Sequence, residues 1–371
     1  MSQSCDGEPD GNISIICFVT LLLHANEILP ATRATPSWRE LSRRTPRDVT
    51  GPIAQTIASR IGRSAIGAAI SVAILGVAGY TLYELLRDIE LDKVLAALAG
   101  QSKQKLVVAG AFVAAGYIAL TFYDLFALHT IGRHKVPYAV AALASFTSST
   151  IGHNLGAAVL TGGLIRLRIY AAWGLTIADI AKIAVLTGIT FWLGNAFLLG
   201  AATAYIPEAA SAVDHLPSWL NRAIGFAGLS AIAFYLLWLV PAPRVIGRSG
   251  WRMVLPNFRL TLLQIGIGAL DLIMVTLAMY VLLPPAPAVG LPTVMVVFLT
   301  ATLLGTVSHA PAGLGVIEAT TLLGLPQYPR AELLAALLTF RALYFLLPLF
   351  LATISLGIRE VQMLARAAKS R

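Results

Sequence analysis

Charge is what this chain lacks most. Only 12% of its 371 residues are Asp, Glu, Lys or Arg, while 57% are apolar; a water-soluble globular chain carries about 25% charged residues. The composition therefore excludes an ordinary soluble protein and indicates an integral membrane protein. Cysteine is almost missing: Cys5 and Cys17 define neither a disulfide framework nor a zinc spacing. No HExxH, GxSxG or Walker loop occurs, which removes familiar signatures of metalloproteases, hydrolases and nucleotide-driven pumps. No nucleophile, base and orienting group stand together, so neither catalysis nor a bound cofactor or metal is expected. Basic residues are absent ahead of the apolar run Ile13–Leu23, so it does not read as a signal peptide. It is also too short to cross a hydrocarbon core, which takes about 20 residues.

The net charge of +9 is spread over loops rather than massed in a tail. In a membrane protein this is first a positive-inside signature and second an attraction to anionic lipid; nucleic-acid binding is not expected. Apolar segments follow one another at roughly 64–86, 105–128, 138–161, 180–206, 220–240, 260–284, 292–325 and 332–357. Arg33, Arg39, Arg43, Arg44, Arg47, Arg60 and Arg63 place the N-terminus in the cytoplasm. Arg133 and Lys135, then Arg244, Arg248, Arg252 and Arg259, mark cytoplasmic loops, and the C-terminal tail is cytoplasmic too. The loop Pro207–Trp219 has no Lys or Arg and lies outside.

That parity works only if two of the eight segments do not cross. Segment 138–161 contains SFTSSTIGHNLG, with five hydroxyls, and has basic flanks on both sides. Segment 292–325 contains GTVSHAPAGLGVIE, where Pro311, Gly313 and Gly315 interrupt a helix at membrane depth. Irregular backbone survives there only inside protein or beside water. Both segments read as re-entrant helical hairpins, one entering from each side. The expected fold is an all-α polytopic membrane protein of about six full spans plus two re-entrant helical hairpins, arranged as an inverted repeat. The expected organisation is a basic extension over 1–60, a membrane domain over 61–360 with half-repeats at about 64–206 and 220–357, and a short tail over 361–371. Inverted repeats with facing broken helices are a transporter plan, with the site at the repeat interface.

Ionisable residues inside spans are costly and serve either as helix-locking pairs or as ligand contacts. The candidates are Asp124, Lys182, Asp271, Glu318 and Arg341, with His153, Asn154 and His309 near the hairpins. Arg341, in LLTFRALYF, is too deep to reach water easily and is expected to pair with Glu318 or an anionic ligand. GGLIR places Gly162 and Gly163 just before Arg166 and Arg168. The two arginines point about 200° apart on a helix and form no common clamp. One reading has them at the cytoplasmic interface. The other has a glycine break admitting a headgroup whose phosphate an arginine grips bidentately. GGLIR aligns with LGVIE, setting Arg166 opposite Glu318.

The stretch from Tyr117 to Gly194, including FYDLFALHTIGRHK, SFTSSTIGHNLG and GGLIRLRIY, closely resembles the N-terminal membrane domain of the lysylphosphatidylglycerol synthase (multiple peptide resistance factor) family. SHAPAGLGVIEA and FRALYFLLP resemble later motifs of the same family, and the likeness covers about residues 64–357. It implies a bacterial inner-membrane flippase moving anionic or aminoacylated phosphatidylglycerol, as in resistance to cationic antimicrobial peptides. No transferase half follows the last span in this sequence, so aminoacyl transfer is not expected of it. The lipid-contact candidates are Gly162, Gly163, Arg166, Arg168, Asp124, Asp271, Glu318, Arg341, His153 and Asn154, with the acids facing an aminoacyl ammonium. Two alternatives stay open: a membrane subunit partnered by a separate aminoacyltransferase, and an ion-coupled transporter of a small solute. Self-association is likewise left open.

Overall fold

The computed structural model describes residues 99–155, 158–241, 244–247 and 253–369. The expected first span at 64–86 and the extension over 1–60 lie outside the described residues. The described part is helical apart from a two-stranded ribbon, β1 (Val245–Ile246) and β2 (Met253–Val254), between two helices. This is an all-α polytopic membrane protein. Its order is α1 (Lys103–Thr130), α2 (Tyr138–Leu155), α3 (Ala158–Tyr170), α4 (Ile177–Tyr205), α5 (Pro207–Asp214) and α6 (Ser218–Trp238). Then come α7 (Phe258–Leu282), α8 (Leu291–Val307), α9 (Val316–Gly324), α10 (Arg330–Arg341) and α11 (Leu347–Lys369). A π-helical turn, Ala342–Leu346, joins α10 to α11.

Five helices among the described residues are long and apolar enough to cross a bilayer: α1, α4, α6, α7 and the continuous α10–α11. Their outer faces carry Val107, Ile118, Trp219, Phe226, Phe234, Leu237 and Phe350, each more than half exposed. An apolar belt of that extent belongs in hydrocarbon rather than water. Polar caps mark where helices begin. Ser102 caps α1 and Asn257 caps α7, while Thr176 and Asp179 form a reciprocal capping box on α4, each satisfying N–H groups that the first turn leaves bare.

The cross-links sort the helix termini into two ends. At one end Arg133, after α1, bonds Asp179 of α4 at 2.7 Å. Arg168 of α3 pairs there with Glu360 of α11, and Arg359 donates to the Ile169 carbonyl at 3.3 Å. At the other end Lys105 of α1 donates to the Leu283 carbonyl beyond α7 at 2.8 Å, and the last turn of α9 touches α5 and α8 at Gly324. Hence α2 and α3 enter and leave by one end, α8 and α9 by the opposite end. Both are re-entrant as expected, the first running on past the expected end at 161 to Tyr170, and α2 packs against the turn Pro311–Gly313 at the tip of the second.

Small residues bring the spans together, as lipid-embedded helices require. Gly194 of α4 crosses Gly268 of α7 so closely that a Cβ on Gly194 would lie 2.5 Å from the Gly268 carbonyl carbon. Gly225 of α6 meets Gly200 and Ala204 of α4 in the same way, with a hypothetical Cβ at 2.7 Å from the Ala204 nitrogen. The α10–α11 junction has a different cause. Pro348 lacks the N–H that would bond the carbonyl of Tyr344, and the Tyr117 hydroxyl of α1 takes that carbonyl at 3.0 Å.

Candidate functional site

Between the hairpin tips, α1, α4 and α7 lies a cavity of about 250 Å³. Hairpin one contributes Ser148, Ser149, His153 and Arg166; the second contributes Thr302, Thr306 and His309; α7 contributes Asp271. Trp192 of α4 also lines it and is half exposed, so the cavity reaches the protein surface on that side.

Arg166 is the cation of this cavity, and the fold fixes it firmly. Its Nε donates to both oxygens of Asp124, at 3.1 and 3.0 Å, and its Nη2 to Asp124 Oδ1 at 2.8 Å. The Tyr170 hydroxyl, one turn beyond Arg166 on α3, donates to Asp124 Oδ2 at 2.8 Å. Asp124 is wholly buried and Arg166 nearly so. A fork bonded along one edge still has Nη1, which makes no hydrogen bond among the described residues, and it sits on the side of Gly162. The guanidinium is thus oriented, neutralised by its partner, and able to donate further.

The glycines act differently from the sequence expectation. Gly162 and Gly163 do not break a helix, for α3 runs unbroken through both. A Cβ on Gly162 would sit 3.2 Å from the Ser148 carbonyl and 3.3 Å from Arg166 Nη1. Its missing side chain lets α3 lie on α2 and makes room for the guanidinium. Gly163 meets nothing within 4 Å and has no part in the cavity.

The second hairpin does break where its glycines stand. His309, Ala312, Gly313 and Gly315 all have positive φ, a cluster of left-handed residues that costs energy at the two non-glycines. The turn is held from behind. Arg341 donates through Nη1 to the Ala312 carbonyl at 3.2 Å and through Nε to Glu318 Oε1 at 3.0 Å, a second Nη2 bond completing the fork. Glu318 Oε2 accepts from the Gly315 N–H at 2.9 Å, capping α9. The expected Arg341–Glu318 pair is therefore present. It leaves Glu318 committed to Arg341 and to its own helix rather than facing a lipid ammonium, and Asp124 is equally committed to Arg166.

Of the residues singled out by sequence, Arg166, His153, His309 and Asp271 line the cavity. Asp124, Glu318 and Arg341 stand behind its walls. Arg168 belongs to the far end of α3, paired with Glu360. Asn154 faces its own helix, donating to the Thr150 carbonyl at 2.8 Å. Tyr123, whose hydroxyl donates to Asp271 Oδ2 at 3.0 Å, and Tyr344, displaced by the π turn, were not anticipated. Both sit in motifs whose charged neighbour drew attention instead, FYD and FRALYF.

No family model matches the chain. It is 32% identical over 303 residues to the uncharacterized protein slr0712 of Synechocystis, an alignment covering 81% of this chain and 92% of that protein. It is 29% identical over 290 residues to the inner membrane protein YbhN of Escherichia coli, covering 76% of this chain and 89% of the relative.

Proposed function

Because the chain belongs to the same family as the cyanobacterial slr0712 protein, we propose that it is a multi-pass inner-membrane phospholipid translocase with the headgroup in the inter-hairpin cavity. The observation that carries this reading is Arg166: a buried guanidinium with one edge on Asp124 and Nη1 uncommitted among the described residues, in a largely apolar cavity between hairpins entering from opposite ends. A phosphodiester fits such a donor in charge and shape. The hydroxyl-bearing residues Ser149, Thr302 and Thr306 suit the polar remainder of a headgroup, and the half-exposed Trp192 marks where acyl chains stay in lipid. The resemblance to the lysylphosphatidylglycerol synthase membrane domain supports phosphatidylglycerol, plain or aminoacylated, as cargo. With Asp124 and Glu318 both bound to arginines, the phosphate rather than an ammonium is the recognition element.

The test is leaflet-resolved movement of fluorescent phosphatidylglycerol in vesicles containing the purified protein. Arg166→Lys keeps a cation beside Asp124 but loses the fork. A charge-assisted hydrogen bond contributes about 1.5–3 kcal/mol, so transport is expected to fall about tenfold or more. Wild-type vesicles that move the lipid no faster than protein-free ones would remove the proposal.

A further inference from the structure

Asp271 differs from the other buried acids among the described residues. Asp124 is held by Arg166 and Asp179 by Arg133, and the less buried Glu318 and Glu360 have Arg341 and Arg168. Asp271, in the middle of α7, is 4% exposed and has no cationic partner among the described residues; one hydroxyl, that of Tyr123, donates to it. It nevertheless lines the cavity. A carboxylate withdrawn from water without a cation is strongly disfavoured, whereas the neutral acid is tolerated. When water or a headgroup enters from one end, the balance between the two forms changes.

We propose that Asp271 is the proton-carrying group that couples lipid movement to a transmembrane pH gradient, an inference resting on the translocase reading above. The carboxylic acid holds its proton while the cavity is closed. It releases that proton to water when the cavity opens toward one side, leaving a carboxylate to which Tyr123 donates, and it takes a proton from the other side on return. The ionisable groups around it are Tyr117 and Tyr123 from α1, Tyr344 from the π turn, His153 and Arg166 from hairpin one, and His309 from hairpin two. The cavity-lining residues of α4 add none. The tyrosines are uncharged near neutral pH and Arg166 keeps its charge, so the two histidines are the rival carriers. A metal ion is a poor alternative occupant, since among the described residues no group of three His, Cys, Asp or Glu gathers to hold one.

The experiment is lipid movement in vesicles with and without an imposed pH gradient at equal sodium, and with a sodium gradient at equal pH, for wild type, Asp271→Asn and the double variant His153→Gln/His309→Gln. With one proton per lipid, a gradient of about one pH unit sustains roughly a tenfold leaflet asymmetry, because each unit of pH is worth a tenfold change in an equilibrium. Wild type is expected to show that asymmetry and Asp271→Asn to lose it, Asn keeping the shape and the acceptor for Tyr123. Should Asp271→Asn fail to fold, Tyr123→Phe is read instead, with the asymmetry retained but its midpoint pH moved. Four results would overturn the coupling: wild-type movement indifferent to the gradient, dependence on sodium instead, an asymmetry that survives in Asp271→Asn, or a midpoint unmoved in Tyr123→Phe. In each of these the protein still moves lipid. Absence of any wild-type movement instead removes the translocase reading itself.

Discussion

At the residue scale the two arginine–acid pairs hold the site together, and their burial predicts unequal responses to substitution. Side-chain exposure is 7% for Arg166 and 0% for Asp124. Removing one member of such a pair leaves an uncompensated charge and costs about 3–5 kcal/mol, whereas removing both often costs little. Arg166→Gln alone is therefore expected to destabilise the protein by that amount, and Asp124→Asn/Arg166→Gln to restore most of it without restoring transport. Unfolding in mixed micelles, followed beside the vesicle assay, separates the two quantities. Glu318 is 20% exposed at its side chain and its partner Arg341 4%. Glu318→Gln keeps an acceptor for the Gly315 N–H and loses only the charge, so its effect is milder than that of Arg341→Ala. Because Glu318 faces Arg341 and not the cavity, Glu318→Gln is expected to slow plain and aminoacylated phosphatidylglycerol to the same degree. A selective loss of the aminoacylated lipid would show that the carboxylate reaches the cargo. The sequence made Glu318 and Arg341 conspicuous as charges in apolar runs, and depth alone required for Arg341 a partner that could be Glu318 or an anionic ligand. The Arg166–Asp124 pair was not legible, since it joins residues 42 positions apart on helices whose crossing only the packing decides.

At the scale of elements, neighbouring glycines in one motif carry opposite consequences. Gly162 presses on the Ser148 carbonyl and on Arg166, while Gly163 faces open space. Glycine in a helix interior is about 0.8–1.0 kcal/mol worse than alanine. Gly163→Ala is expected to raise the unfolding temperature slightly and leave transport intact. Gly162→Val is expected to part α3 from α2, displace the guanidinium and abolish transport; equal behaviour of the two variants would contradict the packing. In sequence this Gly-Gly step reads as a helix break because glycine serves both for turns and for close approach, and composition does not distinguish them. In the second hairpin the same inference succeeded, since Pro311 removes an N–H and Gly313 and Gly315 admit positive φ within a few residues. The Gly194–Gly268 crossing of α4 and α7 left no trace in sequence beyond small residues in long apolar helices. Overpacking a tight contact costs about 1–3 kcal/mol, so Gly268→Leu is expected to destabilise the bundle by at least that much, as denaturant unfolding would show.

At the scale of the whole molecule, charge parity carried the architecture. Loops rich in arginine stand on both flanks of segment 138–161, so a crossing there contradicts the positive-inside rule, and in the structure α2 and α3 together return the chain to the end it came from. The consequence is a labelling pattern that a chain crossing at every apolar segment cannot produce. With Cys5 and Cys17 replaced, single cysteines at Lys135 and Ala172 bracket the first hairpin, and Val245 lies in the ribbon after α6. Ala288 and Gln327 bracket the second hairpin, and Glu208 opens α5. The first three sit at the end carrying Arg133 and Arg244, and are expected to react with an impermeant thiol reagent only after the membrane is opened. The other three sit where the loop before α6 has acids and no Lys or Arg until Arg222, and are expected to react in intact cells. Lys135 and Ala172 labelling from opposite sides would turn the first hairpin into a crossing. The two hairpin tips would then no longer meet in one cavity, and Arg166 and Asp271 would lose their common site.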